Sequence, residues 1–230
     1  MVVSLLFAVI GAFSGSSKAG PRGDSVGLIN VSGVITSGEV DSSPFGSSGA
    51  GAQSLIDQLE EARTNNRIKA VVLWINSPGG SAAGSDAVYT EVQKVRTSGK
   101  KVIVAMGDVA ASGGYYIASA ADRIYANGAT LTGSIGVISE LPNFSAPNGW
   151  IKKSGYDAVV VKSGKYKDMG NPFRPMTSDE KALFQDMVDD IYNQFLNAVS
   201  KARKMDLARL RPLADGRVFT GRQALKLGLV

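Results

Sequence analysis

Lys101–Tyr116 reads KVIVAMGDVAASGGYY. Its opening, Lys101–Met106, is a short apolar run rich in β-branched residues, the pattern of a buried strand. Tyr115–Ala121 (YYIASAA) has the composition of a helix start. Between them Ser112 occupies a tight turn of small residues, with Gly113 and Gly114 behind it. Strand, serine turn and helix together have the layout of a nucleophile elbow. The turn lifts the hydroxyl clear, small neighbours admit a substrate, and the helix N-terminus favours developing negative charge. The elbow pattern G-x-S-x-G is met in part, because Ala110 stands at its first glycine.

Working outward from the elbow, the same alternation recurs. Upstream, Lys69–Asn76 (KAVVLWIN) is a continuous apolar run, which predicts a strand covered on both faces. Ser77–Gly80 (SPGG) breaks it, and Ser81–Arg96 follows as a helix with Ala87, Val88, Val92 and Val95 inward. Before it, Gln53–Thr64 is an amphipathic helix carrying Leu55, Ile56, Leu59 and Ala62 on one face. Ser25–Val34 reads as the first strand, and Ile35–Gly51 as a long Ser/Gly loop of a length that marks mobility or a substrate-facing role. Downstream, Arg123–Ala126, Ser134–Ile138 and Asp157–Lys162 are expected short strands. Thr177 with Glu180 is a capping-box signature that opens a long helix to about Lys204. Its stripe of Leu183, Phe184, Met187, Val188, Ile191, Phe195, Leu196 and Val199 is expected to be core. Gly221–Leu227 is a final short helix. Strands and helices alternating at these intervals predict βαβ units, an α/β class and a mostly parallel sheet.

Composition narrows the chemistry. The 230 residues include no histidine and no cysteine, which excludes a Ser-His-Asp triad, a thiol nucleophile and zinc sites built on either residue. An activated serine here needs Lys, Asp, Glu or an N-terminal amine as its base, and lysine is the usual choice. Net charge is +5 and uneven: residues 151–230 hold 15 Lys/Arg against 9 Asp/Glu. No nucleic-acid motif accompanies that surplus, so it reads as a solvated helix face and no nucleic-acid partner is expected. Val2–Phe13 is almost wholly apolar but shorter than the ~20 residues of a spanning helix, and no basic n-region precedes it. Residues 1–24 are therefore expected to be a truncated membrane anchor and linker, and 25–230 the folded domain. The C-terminus also looks cut.

In parallel α/β sheets, sites form at the carboxyl ends of strands. Two such ends carry glycine-rich turns, Asn76–Gly80 and Ala110–Gly114, so the Gly80 and Gly113 amides can converge beside Ser112 as an oxyanion hole. The base is sought in Lys162–Asp168 (KSGKYKD), whose three lysines composition alone does not separate. A free lysine is protonated at neutral pH, with a pKa of ~10.4, so a lysine base must be desolvated or set beside positive charge. Ser134, in TGSIG, is a candidate for the hydroxyl that holds it in line.

The ordered motifs INSPGG, AASGGYYIA, TGSIGV, KSGKYKD and DGRVFTGRQA resemble the signal peptide peptidase A family of Ser/Lys serine peptidases. The resemblance runs from about Gly27 to Val230, with Pro142–Gly149 divergent. It implies a ClpP/crotonase-like fold of repeated β-β-α units plus a C-terminal helical segment. It also implies Ser112 as nucleophile, Lys167 as general base, Ser134 as the lysine-orienting serine and Gly80 as the oxyanion glycine. Gly113 as second donor is a geometric inference. The function expected is a membrane-associated endopeptidase that degrades cleaved signal peptides and other small or apolar segments, without metal or cofactor. The catalytic domain is expected outside the cytoplasm, in a homo-oligomer whose sites are shared between protomers. The rivals are a cytosolic ClpP-like peptidase, which lacks its histidine here, a crotonase, for which nothing marks a CoA site, and a silent scaffold of the same fold.

Overall fold

The computed structural model describes residues 23–38, 49–145, 154 and 159–230. The apolar Val2–Phe13 segment and most of the expected linker lie outside the described residues.

Strand β1 (Ser25–Ser32) ends at Gly33, whose positive φ of 79° turns the chain. The first strand is thus shorter than expected, and Val34–Thr36 becomes a separate strand, β2. It pairs in parallel with β3 (Gly49–Gly51), so the two ends of the expected loop lie side by side. Helix α1 (Ala52–Thr64) buries Ala52, Leu55, Leu59 and Ala62, while Ile56 of the predicted face is only partly buried against the core. Strand β4 (Ile68–Ser77) lies parallel to β1, and α2 (Ala82–Thr97) follows it, its N-cap Ser81 accepting from the Gly84 amide.

Strand β5 runs from Lys101 to Ala111, five residues past the apolar run, because it pairs with two partners in turn. Its first half lies against β6 (Arg123–Tyr125) and its end against β7 (Leu131–Gly133), with α3 (Gly113–Ser119) between β5 and β6 in sequence. The Thr130 and Thr132 hydroxyls donate to the Gly107 and Ala110 carbonyls at 2.8 and 2.7 Å and fasten β7 to β5.

The expected strand at Ser134–Ile138 does not form. The strand is Leu131–Gly133, and it stops where Gly133 and Ser134 both take positive φ, 80° and 50°. Of the expected strand at 157–162, Val159–Lys162 has no sheet partner, and Val159 and Val161 are 89% and 94% exposed. Residues 157 and 158 lie outside the described residues.

Helix α4 (Ser178–Arg203) begins with the predicted capping box, Thr177 and Glu180 bonding reciprocally. The short α5 (Leu207–Leu210) leads to strand β8 (Val218–Thr220), antiparallel to β7, and to α6 (Gly221–Leu227). The main sheet has the order β1-β4-β5-β7-β8, with β6 also on β5. All its pairs except the last are parallel, as the α/β reading requires.

One expectation about this sheet is corrected. Val71, Leu73 and Ile75 of β4 are fully buried in the core, but Trp74 between them is 42% exposed. Register places Trp74 beside Ala105 and Tyr125, in the same face as Val26 and Leu28, which are 61% and 63% exposed. Among the described residues the sheet is therefore covered on one face only. A continuous apolar run cannot distinguish a second layer of the same chain from a surface left for another.

Candidate active site

Three adjacent strands deliver the candidate residues at their carboxyl ends: β4 runs into Pro78–Gly80, β5 into Ser112 and β7 into Ser134. The Ser112 amide donates to the Gly133 carbonyl at 2.9 Å, which sets the elbow directly beside the residue that precedes Ser134. Ser112, Ser134, Gly80 and Gly113 all line one cleft of about 970 Å³.

Ser112 has φ 52° and ψ −122°. Positive φ is uncommon outside glycine, and this ψ lies far from the left-handed α region where it is least costly. The surroundings enforce it. Gly79, at φ 102°, packs so closely that a Cβ there would lie 2.7 Å from the Gly113 nitrogen and 2.8 Å from the Ser112 Cβ. A Cβ on Gly113 would meet the Ser85 Oγ at 2.3 Å, and one on Gly114 the Ser77 carbonyl at 2.9 Å. Ser77 is fully buried and braces the turn, its hydroxyl donating to the Gly33 carbonyl at 2.6 Å and accepting from the Gly79 amide at 3.1 Å. Among the described residues the Ser112 Oγ has no hydrogen-bond partner, so nothing but geometry holds it in the cleft.

The two candidate donors are also uncommitted. Ile35 donates to the Gly79 carbonyl and accepts from Ser81, so the intervening Gly80 N–H faces away from β2 and bonds no described residue. Only glycine fits there, since a Cβ on Gly80 would stand 2.2 Å from the Ile35 carbonyl oxygen. Gly113 opens α3, and the first amides of a helix have no partner within it. The first glycine of the β4 turn, Gly79, escaped the sequence reading although SPGG displays it. Its part is to permit the approach of one turn to the other.

Lys167 is not brought to this cleft within the chain. It is exposed and absent from the cleft lining. The neighbouring lysines are both engaged. Lys162 meets Asp168 at 2.6 Å, and Lys165 meets Asp179 at 2.6 Å. The hydrogen bond that the Lys165 ammonium donates to Asp179 holds it in its charged form, its pKa raised well above the usual value. Lys167 is the one of the three with no side-chain partner among the described residues. Its segment is clamped to the start of α4 by Arg174, which donates to Asp168 at 2.8 Å and to Glu180 through both terminal nitrogens. That clamp was legible only as an arginine six residues from each carboxylate.

The apolar stripe of α4 divides. Phe195, Leu196 and Val199 are buried as expected, but Phe184, Met187, Val188 and Ile191 line the cleft across from Ser112, and Met187 is 44% exposed. The helix covers the core with its C-terminal half and walls the cleft with its N-terminal half.

A mostly parallel sheet with a strained serine elbow, facing two free glycine amides, defines the Clp-protease-like class of α/β domains. The Clp protease family model matches residues 46–130, the segment from β3 through the elbow to the start of β7. A second model, Peptidase family S49, matches residues 94–230, more than half of the sequence, and the chain belongs to that family of serine-type peptidases. The chain is 37% identical over 207 residues to Protease 4 of Haemophilus influenzae, covering 90% of itself and 32% of that protein. It is 36% identical over 208 residues to the chloroplastic serine protease SPPA of Arabidopsis thaliana, covering 90% of itself and 30% of that protein. The chain thus spans about a third of the length of either relative.

Proposed function

We propose that this protein is a serine endopeptidase working through Ser112 and Lys167, with the lysine supplied to each serine by a neighbouring copy of the chain. The observation that carries the reading is the elbow: a strained serine whose hydroxyl is free among the described residues, beside two amides that lack acceptors among them. Family membership and relatives named as proteases support it. The lysine that the resemblance selects is also the one left without an ionic partner among the described residues, and it does not line the cleft of its own chain. The sheet face of Leu28, Trp74 and Tyr125, uncovered among the described residues, supports an assembly, since an exposed apolar patch of this kind marks an association surface.

In the mechanism, neutral Lys167 Nζ accepts the proton of the Ser112 hydroxyl as Oγ attacks the scissile carbonyl carbon. The Gly80 and Gly113 N–H groups donate to the resulting oxyanion, each contributing about 3 kcal/mol in the transition state. Collapse breaks the C–N bond, and the lysine ammonium returns its proton to the leaving amine. Lys167 then deprotonates water, which hydrolyses the acyl-enzyme and restores Ser112. Ser134 accepts a hydrogen bond from Nζ and holds the amine in line. The partner copy that delivers the lysine also removes it from solvent, the desolvation that a lysine base requires.

The apolar wall of α4 favours peptides with small or apolar residues, cleaved signal peptides among them, and no metal or cofactor takes part. The protein is placed at a membrane, with its catalytic domain outside the cytoplasm, through Val2–Phe13. No helix among the described residues is long and apolar enough to cross a membrane. The test is labelling and complementation. Wild type should react with a fluorophosphonate at Ser112, and Ser112→Ala and Lys167→Ala should each be inactive alone. Mixed and reassembled, the two variants should regain part of the activity. Mixtures that stay inactive overturn the shared site, and absence of labelling overturns the serine nucleophile.

A further inference from the structure

Among the described residues the cleft lining carries charge of one sign only. Asp86 and Asp215 are its charged lining residues among those described, and Asp215 is already paired with Arg217. Asp86, on α2, forms no ion pair among the described residues. Its carboxylate is nonetheless fixed in place. The Tyr116 hydroxyl, one helical turn beyond Ser112, donates to Asp86 Oδ1 at 2.8 Å. The Tyr116 ring is held edge-on to Tyr89 at 5.1 Å and against Phe195 at 4.7 Å. Burial, and then the bond to Asp86, push the Tyr116 hydroxyl above its usual pKa, so it stays a donor. The second carboxylate oxygen, Oδ2, has no partner among the described residues.

We propose that Asp86 is a specificity-determining residue that selects peptides with a lysine or arginine side chain where the substrate passes α2; this rests on the peptidase reading. A long basic side chain suits this place in both its parts. Its methylene stem packs on the aromatic and aliphatic wall formed by Tyr116, Phe195 and Ile191, and its charged head reaches the carboxylate. The pair forms a charge-assisted hydrogen bond in a cleft that substrate itself closes to water. An acidic side chain at the same place meets repulsion from the Asp86 carboxylate.

The test uses the full-length protein and a peptide series with lysine, norleucine or glutamate placed in turn at each of the three residues before the scissile bond. Two readouts are taken: kcat/KM with the active protein, and Kd by fluorescence anisotropy with Ser112→Ala. At one position lysine should be preferred to norleucine by about tenfold, the value of one hydrogen bond to a charged group. Asp86→Asn should remove that preference, and Asp86→Lys should turn it toward glutamate. A merely structural role through Tyr116 would lower all three peptides together and could not invert their order. Hydrolysis with no lysine preference, or a preference that survives Asp86→Asn, overturns the proposal alone. A lysine preference in binding with no hydrolysis supports it and overturns the peptidase reading. Neither binding preference nor hydrolysis overturns both.

Discussion

Replacing Ser112 by glycine should give a more stable protein than replacing it by alanine, although both variants lose the nucleophile. The two differ only by a Cβ. Alanine keeps the residue at φ 52° and ψ −122°, a conformation that costs a non-glycine residue about 1–3 kcal/mol. Glycine adopts it without that strain but loses more backbone freedom on folding, about 0.5–1 kcal/mol. Deleting Oγ loses no hydrogen bond, because Oγ makes none with the described residues. The glycine variant should therefore exceed the alanine variant by about 0.5–2 kcal/mol. For a domain of this size that corresponds to about 1–8 °C in Tm. Thermal and urea unfolding of the two purified variants, at equal concentration so that assembly does not enter, measures it. If Ser112→Gly unfolds with or below Ser112→Ala, the elbow is not strained and its geometry stores no conformational energy.

Three further outcomes follow from the same geometry. Gly80→Ala puts a Cβ 2.2 Å from the Ile35 carbonyl oxygen and must displace the amide beside it, so kcat should fall by about 10²-fold or more with substrate binding less affected; a kcat within threefold of wild type refutes the assignment of that amide. The Arg174 hydrogen bonds hold Glu180 down to about 2 and Asp168 lower still. Both folded values lie below the unfolded ones, so this stabilisation is complete above the ordinary carboxylate range near pH 4 and fades as pH falls toward 2. Tm should drop over that window, and Arg174→Met should flatten the drop; an unchanged acid limb in the variant would mean that the clamp does not carry this pH dependence. Trp74→Asp, on the uncovered sheet face, should shift sedimentation from assembly to monomer and abolish hydrolysis while the monomer keeps its secondary structure; an intact assembly would show that this face is not the association surface.

Much of the fold was legible because its signals are local. The β4 and β5 strands, the α1 stripe and both capping-box residues of α4 depend on neighbours within a turn or along one strand, and they stand where periodicity and capping put them. The absence of histidine and cysteine is a property of composition, and it restricts the base with no knowledge of which residues meet. The expected strand at Ser134–Ile138 failed because Ser134 sits at φ 50° beside β8, with its amide on the Arg217 carbonyl, a contact far along the chain.

What only the tertiary structure decided is which surfaces meet. KAVVLWIN is apolar whether its second face is covered by helices of its own chain or left open, and only the packed sheet shows Trp74 uncovered. The α4 stripe has one periodicity along its length, yet Phe195, Leu196 and Val199 are core while Phe184, Met187, Val188 and Ile191 wall the cleft, and the helix packs on α3 and α5 rather than on a strand. Three lysines in KSGKYKD are alike in sequence, and Asp168 and Asp179 set two of them apart by engaging their charges. Asp86 is one acidic residue on a helix until Tyr116, thirty positions away, fixes it on the wall of the Ser112 cleft. Side-chain period and caps are properties of a segment, and the amino-acid sequence displays them directly. Burial, pairing and the meeting of strand ends are properties of segments brought together, and no segment contains them.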